Sequence, residues 1–157
     1  MRLDEALEHI LTTVESRLRT ATEGDGLLSG VEEIVRGDRA RPRPATPAVW
    51  IFAETANPDH GQSSLHEMWR IPIVLTPIVK SDNPTKGYSE ATRLAARARS
   101  VILNDKQLGS PSLVRDIKSG RFECSAPWHN DGNLYSAVAV IDVVFILREQ
   151  CKKEEGL

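Results

Sequence analysis

The first twenty residues place apolar side chains at helical spacing, in one stripe along an otherwise polar segment. Asp4 and Glu5 lie near the start of this segment and Arg19 near its end, an order of charge that complements the helix dipole. The pattern predicts a helix over Asp4–Thr20, which ends near Thr22 because glycines follow. Its predicted buried positions are Leu3, Leu7, Ile10, Leu11, Val14 and Leu18.

Two later segments have the composition or the alternation of β-strands. Ala48–Ala53 is rich in β-branched and aromatic residues. In Met68–Val79 the side chains alternate, with Trp69, Ile71, Ile73 and Leu75 on one face and Arg70, Pro72, Val74 and Thr76 on the other. Because Pro72 and Pro77 cannot donate to a sheet ladder, we expect this second strand to be bulged or at a sheet edge. A short apolar run around Ile34 is compatible with a further brief strand.

A second helix and a closing strand pair complete the pattern. Ser89 is a suitable N-cap for a helix over Ser89–Asp105, which ends before Gly109. Its predicted buried stripe is Ala91, Leu94, Ala95, Ala98, Val101 and Ile102. Strands are predicted over Leu113–Ser125 and Leu134–Arg148, joined by a turn that contains Asp131-Gly132. The nearly continuous apolar run of the last strand predicts a central position covered on both faces.

The element order α-β-β-α-β-β predicts an α+β fold, with two main helices on a mixed, mostly antiparallel sheet. The 157 residues are enough for a single domain with its own core. Three polar segments are longer than simple turns require: Arg39–Pro47, Glu54–Glu67 and Lys80–Tyr88. We expect these loops to be mobile in the free protein and to contact partners. The charged tail from Glu149 is expected to fray.

Charge and composition narrow the classes of function. The formal net charge is -2, and lysines and arginines are scattered among acidic residues. Tight binding of DNA through its phosphates needs a concentrated basic face, so that class is disfavoured. Two cysteines, Cys124 and Cys151, do not make a disulfide framework, and we expect both to be reduced. The chain shows neither the pattern of a signal peptide nor an apolar run of membrane-spanning length, so we expect no membrane partner.

The residues that could carry chemistry do not form a recognisable motif. His60 and His66 do not match the spacing of a zinc site, and no glycine-rich phosphate loop is present. Cys124 has no catalytic signature around it. Asp142 interrupts an apolar strand, and we interpret it as facing solvent, a pore or a neighbouring subunit. The sequence therefore predicts a protein that is not an enzyme and needs no metal or organic cofactor.

The whole arrangement resembles the tail terminator (tail completion) proteins of long-tailed bacteriophages. The resemblance lies in the amphipathic first helix, the strands Ala48–Ala53 and Met68–Val79, and the Ala- and Arg-rich helix Ser89–Asp105 with its Leu108-Gly109 ending. It continues in the last strand, which closes on Leu147-Arg148-Glu149, and so covers most of the chain.

This resemblance implies a structural virion protein that caps the finished tail tube as a homo-oligomeric ring, hexameric in expectation, at the joint to the head. Its implied partners are further copies of itself, the tail tube protein and a head-completion or connector protein, with DNA passing through the lumen without specific binding. The implied location is the head-proximal end of the tail, after assembly in the host cytoplasm. Our candidate interface residues are Trp128, His60, His66, Lys86, Arg93, Arg97 and Asp142.

Two other classes compete with this interpretation. One is a different neck or connector component of the head–tail joint. The other is a small hydrolase whose catalytic residues are dispersed in sequence. A deep pocket with convergent polar groups would favour the enzyme, whereas flat flanks would favour a ring subunit.

Overall fold

The computed structural model describes residues 1–37, 45–59, 66–127 and 133–148. Within them the chain forms two helices and six strands in the order α1, β1, β2, β3, β4, α2, β5, β6. The helices are α1 (Leu3–Ala21) and α2 (Pro84–Leu103). The strands are β1 (Glu33–Arg36), β2 (Ala48–Ala53), β3 (Asn57–Pro58), β4 (His66–Lys80), β5 (Val114–Pro127) and β6 (Leu134–Arg148).

Helix α1 extends one residue beyond each end of the prediction. The backbone N–H of Arg2 donates to the Glu5 carboxylate at 3.0 Å, which satisfies one of the free donors at the start of the helix. Ile10, Val14 and Leu18 are fully buried as predicted, whereas the other predicted positions, Leu3, Leu7 and Leu11, pack at the margin of the core.

Helix α2 begins at Pro84, so the prediction of Ser89 as its N-cap was wrong. The side chain of Asn83 accepts the backbone N–H groups of Thr85 (3.0 Å) and Lys86 (3.3 Å). Pro84 follows at the first helical position, where its missing N–H costs nothing. The predicted loop Lys80–Tyr88 is therefore helical from Pro84 onward. The predicted stripe is confirmed, with Val101 partly buried and the other five positions buried.

Asp105 closes the turn after α2. Its carboxylate accepts the backbone N–H groups of Gln107 (3.1 Å) and Gly109 (2.8 Å) and pairs with Arg17 of α1 at 3.2 Å. These N–H donors, followed by the charge of Arg17, lower the pKa of Asp105 from its usual 3.8. The turn then reverses through Gly109, whose φ of +67° suits glycine.

The strands form one six-stranded sheet in the order β1-β2-β4-β6-β5, with β3 pairing beside β4. The β1–β2 pair is parallel and all other pairs are antiparallel. The predicted α+β class is thereby confirmed, and the brief strand around Ile34 is present as β1. The predicted loop Glu54–Glu67 contains β3 and the first residues of β4, so it is not wholly irregular.

Strand β4 is central, so the expectation of an edge or bulged strand was wrong. Its pairing with β6 keeps one register from His66–Arg148 to Lys80–Leu134. Pro72 is tolerated because the edge of β4 that its nitrogen faces lies beside the end of β2, where the ladder needs no further N–H donor. The carbonyl of Pro72 still accepts the N–H of Glu54 at 2.9 Å. The β4–β6 pairing is interrupted beside Pro77 and resumes at Ile78 in the same register. A local gap in the ladder thus accommodates the proline without a bulge.

The predicted strand pair is confirmed as β5 and β6, with β6 central. Three register shifts interrupt β5, between Val114 and Asp116, Ser119 and Phe122, and Glu123 and Ala126. At the second shift, a Cβ on Gly120 would lie 2.8 Å from the carbonyl oxygen of Val140. The glycine therefore permits a close passage of β5 over β6.

Both helices pack on the same face of the sheet and enclose the main core with it. Alternate side chains of the central strands point into this core, including Ile71, Ile73 and Leu75 of β4. The predicted assignment of the two faces of this strand is correct. The core side chains of β6 are Tyr135, Ala137, Ala139, Ile141, Val143, Phe145 and Leu147. The other face of the sheet carries no described helix, yet Ser136, Val140 and Val144 are buried there, so β6 is largely covered on both faces as predicted.

Candidate functional site

The structure does not bring the predicted interface residues together. Lys86, Arg93 and Arg97 lie on α2, whereas Asp142 lies in β6 on the sheet face away from the helices. His66 begins β4 and not a loop, opposite Arg148. His60 and Trp128 lie outside the described residues. These residues therefore belong to at least two separate surfaces.

The first surface is a charged row on α2. Glu90 and Arg93 form an ion pair one turn apart, and hydrogen bonding to the Glu90 carboxylate raises the pKa of Arg93. Arg97, one turn further, donates to the carbonyl of Leu27 at 3.3 Å and so ties α2 to the segment after α1. Lys86 is exposed in the first turn. Two of the three cations in this row thus have contacts within the chain, which favours a structural role for them.

The second surface is the sheet face opposite the helices, here called the outer sheet face. Trp50 and Phe52 of β2 stand on it with ring centroids 5.7 Å apart. The other half-buried apolar side chains that alternate onto this face are Met68, Pro72, Val74, Val138 and Ile146. In the part of the chain that the structure describes, no helix shields them. A broad, partly exposed apolar surface with aromatic residues is typical of a protein interface.

Charged side chains reach across the outer sheet face, which we also call the trough. Glu54, just after β2, forms an ion pair with Arg121 of β5 at 3.1 Å. Three strand-to-strand steps separate β2 from β5, or about 14 Å in a flat sheet, so the two side chains lean toward each other over the strands between them. Val140 and Val144, on the floor of the trough, are buried although no described helix covers them.

Asp142 lies within this trough. Its neighbours in register are Pro72 of β4 and Lys118 of β5. The side chain of Asp142 is half-buried among apolar side chains, and Lys118 is the neighbouring cation that can balance its charge. This environment is consistent with the interpretation of Asp142 as facing solvent or a neighbouring subunit.

A buried ion network fastens α1 to the sheet edge. Arg36, at the end of β1, is 4% exposed and contacts both oxygens of the Glu8 carboxylate, at 2.8 and 3.1 Å. Glu15 lies 3.9 Å from Arg36 and 2.7 Å from Arg19. This cluster balances its own charges, so it stabilises the fold and offers no vacant site for a ligand.

The remaining surface has shallow, open depressions. The one beside the start of α2 is about 480 Å³ and is lined by Lys80, Ser81, Thr85, Lys86 and Ser89, with Val79 and Glu90. Among the described residues no group of three or more His, Cys, Asp or Glu side chains is placed to hold a metal ion. Neither described helix combines the length and apolar character of a membrane span.

Sequence reasoning missed the Glu54–Arg121 pair, because two strands and a helix separate the two residues along the chain. Only the alternation of Trp50 and Phe52 within β2 signalled that both rings share the outer sheet face.

Comparisons with known proteins show similarity to solved structures. No protein-family model matches the chain, and no curated protein matches it. Among solved structures, the chain is similar to a chain of the virion of a native gene transfer agent particle. The two share 8% sequence identity, with a TM-score of 0.48, over 85% of this chain and 92% of that one.

Proposed function

We propose that this protein is a non-enzymatic structural component of a phage virion that caps the tail tube as a ring at the joint to the head. The observation that carries the proposal is the outer sheet face, an apolar trough with two aromatic side chains and no described helix over it. Burial of such a face against another protein contributes stability in proportion to the area removed from water.

The sequence pattern supports the same role. The order of helices and strands resembles the tail terminator family, and the confirmed α+β fold agrees with that pattern. The near-neutral composition suits a ring through which DNA passes without being held. The depressions among the described residues are open, whereas the alternative hydrolase would need a deep pocket.

In this proposal the trough binds the end ring of the tail tube. A growing tube exposes an unsatisfied interface at its last ring, and the terminator covers that interface while denying a docking surface to the next ring. The opposite, helical side remains available to the head-completion or connector protein. Shape and surface are sufficient for this task, so no reaction step is required.

A complementation experiment tests the proposal. The gene is removed from the phage that encodes it, and the wild-type protein or the variant Phe52→Ser is supplied in trans. Without the protein, we expect heads and tails that fail to join, with tails of abnormal length. Phe52→Ser should give the same particles, because it removes an aromatic ring from the trough and leaves the main core intact.

The matched control is Phe122→Ser, which makes the same substitution at an exposed phenylalanine on the helix side of β5. This variant should restore joined particles. Circular dichroism of each purified variant separates a binding defect from misfolding. Normal, infectious particles without the protein would rule out the proposal. Tails of normal length that fail to join heads would point instead to another neck component.

A further inference from the structure

Charge is distributed unequally across the sheet. Residues 1–37, which form α1, β1 and their connection, carry eight acidic and four basic side chains, a formal net charge of −4. Residues 84–127, which form α2, β5 and their connection, carry four acidic and eight basic side chains, a formal net charge of +4. The strand order places β1 and β5 at opposite edges of the sheet. Among the described residues, the two edges of the sheet therefore carry opposite net charge.

The negative end is concentrated around the start of β1. Glu23, Glu32 and Glu33 line an open depression of about 320 Å³ there, together with Arg19, Thr22, Val31 and Ile34. We call these three glutamates the acidic edge. Glu23 and Glu32 are exposed, and the ion network of Arg36 does not neutralise them.

The positive end lies along β5. Arg115, Lys118 and Arg121 are exposed on this strand, and we call them the basic edge. Asp116 and Glu123 on the strand, Glu54 paired with Arg121, and Asp142 beside Lys118 offset part of their charge, while α2 adds a net +3 beside the strand. Arg99 of α2 donates to the hydroxyl of Ser119, which places one of these helical cations directly next to β5.

We propose that the acidic edge of one copy of this chain docks against the basic edge of the next copy. The inference rests on the proposed ring and names its subunit contact. A two-fold dimer through either edge would bring like charges together, which is repulsive, whereas a head-to-tail contact pairs opposite charges. Head-to-tail contacts close into a ring when the rotation between copies permits it. The trough then stays free for the tail tube.

The test uses two double variants of the full chain. Glu23→Lys with Glu32→Lys changes the three side chains of the acidic edge from −3 to +1, and Arg115→Glu with Lys118→Glu changes those of the basic edge from +3 to −1. All four positions are exposed, and circular dichroism checks the folding of each variant, because Lys118 lies beside Asp142. Analytical ultracentrifugation of each variant, alone and mixed, measures self-association. A control variant, Lys80→Glu with Asp82→Lys, exchanges two exposed charges at neither edge.

We expect the wild-type protein to self-associate more strongly at low salt, since screening weakens attraction between exposed charges. Each edge variant alone should associate about tenfold more weakly or worse, because like charges then meet at every contact. An equimolar mixture of the two should restore assembly, with copies alternating around the ring. The control should behave as the wild type does.

Three results would overturn the inference: wild-type protein that is monomeric at all concentrations and salts, edge variants that assemble normally, or a mixture that fails to assemble. Failure of the proposed function has a different signature. If both edge variants restore joined particles while the strain without the protein does not, the edge contact is wrong and the capping role stands. If particles form normally without the protein but the mixture restores assembly, the edge contact stands and the capping role is wrong.

Discussion

Removal of either partner of the Arg36–Glu8 pair should destabilise the fold, but by different amounts. In Arg36→Met the apolar part of the side chain is largely replaced. The stranded Glu8 carboxylate is 55% exposed and can be hydrated, and Glu15 keeps Arg19 at 2.7 Å. We therefore expect a loss of about 1–2 kcal/mol, near the low end for hydrogen bonds between charged groups.

In Glu8→Ala the outcome differs, because the stranded charge is the buried one. The guanidinium of Arg36 is 4% exposed and loses its two-point contact with Glu8, while Glu15 stays 3.9 Å away. Leaving a buried charge without its partner costs about 3–5 kcal/mol, which we reduce to about 2–4 kcal/mol because Glu15 remains. The double variant should resemble Arg36→Met alone, since no buried charge is then stranded.

Urea denaturation followed by circular dichroism measures these free energies of unfolding. Ser16→Ala, at an exposed position of the same helix, is the control and should change stability by less than about 0.5 kcal/mol. If Arg36→Met is more damaging than Glu8→Ala, or if the two losses simply add in the double variant, the reasoning about the buried guanidinium is refuted.

Three further changes test the packing and the turn after α2. Gly87→Ala should lower the urea midpoint, because a methyl group there would lie 2.6 Å from Cγ of the Tyr135 ring. This clash should outweigh the preference of a helix for alanine over glycine, which is about 1 kcal/mol. A raised midpoint would show that the ring moves freely. Leu75→Ala, in the fully buried face of β4, should cost about 2–5 kcal/mol in the same measurement, and a loss below 1 kcal/mol would contradict its place in the core. Asp105→Asn should remove the contribution of the ionised Asp105 carboxylate to the free energy of unfolding, because only the ionised form is held by the N–H donors and by Arg17. That contribution is fully present above the usual carboxyl pKa of 3.8 and is lost as pH falls through the lowered folded-state pKa. Urea midpoints from pH 7 to acid should therefore converge between wild type and variant, and a difference that is constant with pH would refute this.

Much of the fold could be predicted because local pattern and global packing agree. The spacing of the apolar residues in α1 fits only a helix, and the predicted ends of that helix lie within one residue of the observed ends. The start of α2 was misplaced because two caps compete in sequence. Asn83-Pro84 is a stronger signal than Ser89, since it combines a side-chain acceptor with a proline at the first helical position.

The position of β4 could not be predicted from its prolines alone. Whether a proline breaks a ladder depends on which neighbouring strand its missing N–H would face and whether that strand extends so far. Pro72 lies where the pairing with β2 ends, and Pro77 interrupts the pairing with β6 once. Both facts depend on strand order, which the sequence pattern does not specify.

The candidate surfaces were less predictable than the fold. The outer sheet face follows from the alternation of side chains once the location of the helices is known. The acidic and basic edges are visible as charge counts in the sequence, but their placement at opposite ends of the sheet requires the topology. Residues chosen for chemical character alone, such as Lys86 and Asp142, fell on different faces.

The broken register of β5 has a consequence for solubility. An exposed edge strand is a template on which other chains can add by backbone hydrogen bonding, and unlimited addition of this kind gives fibres. The three register shifts divide β5 into short runs, and its exposed cations discourage close approach of a second such strand. The irregular register and the exposed cations therefore disfavour the addition of a further strand at this edge, while the side chains of β5 stay open to contact.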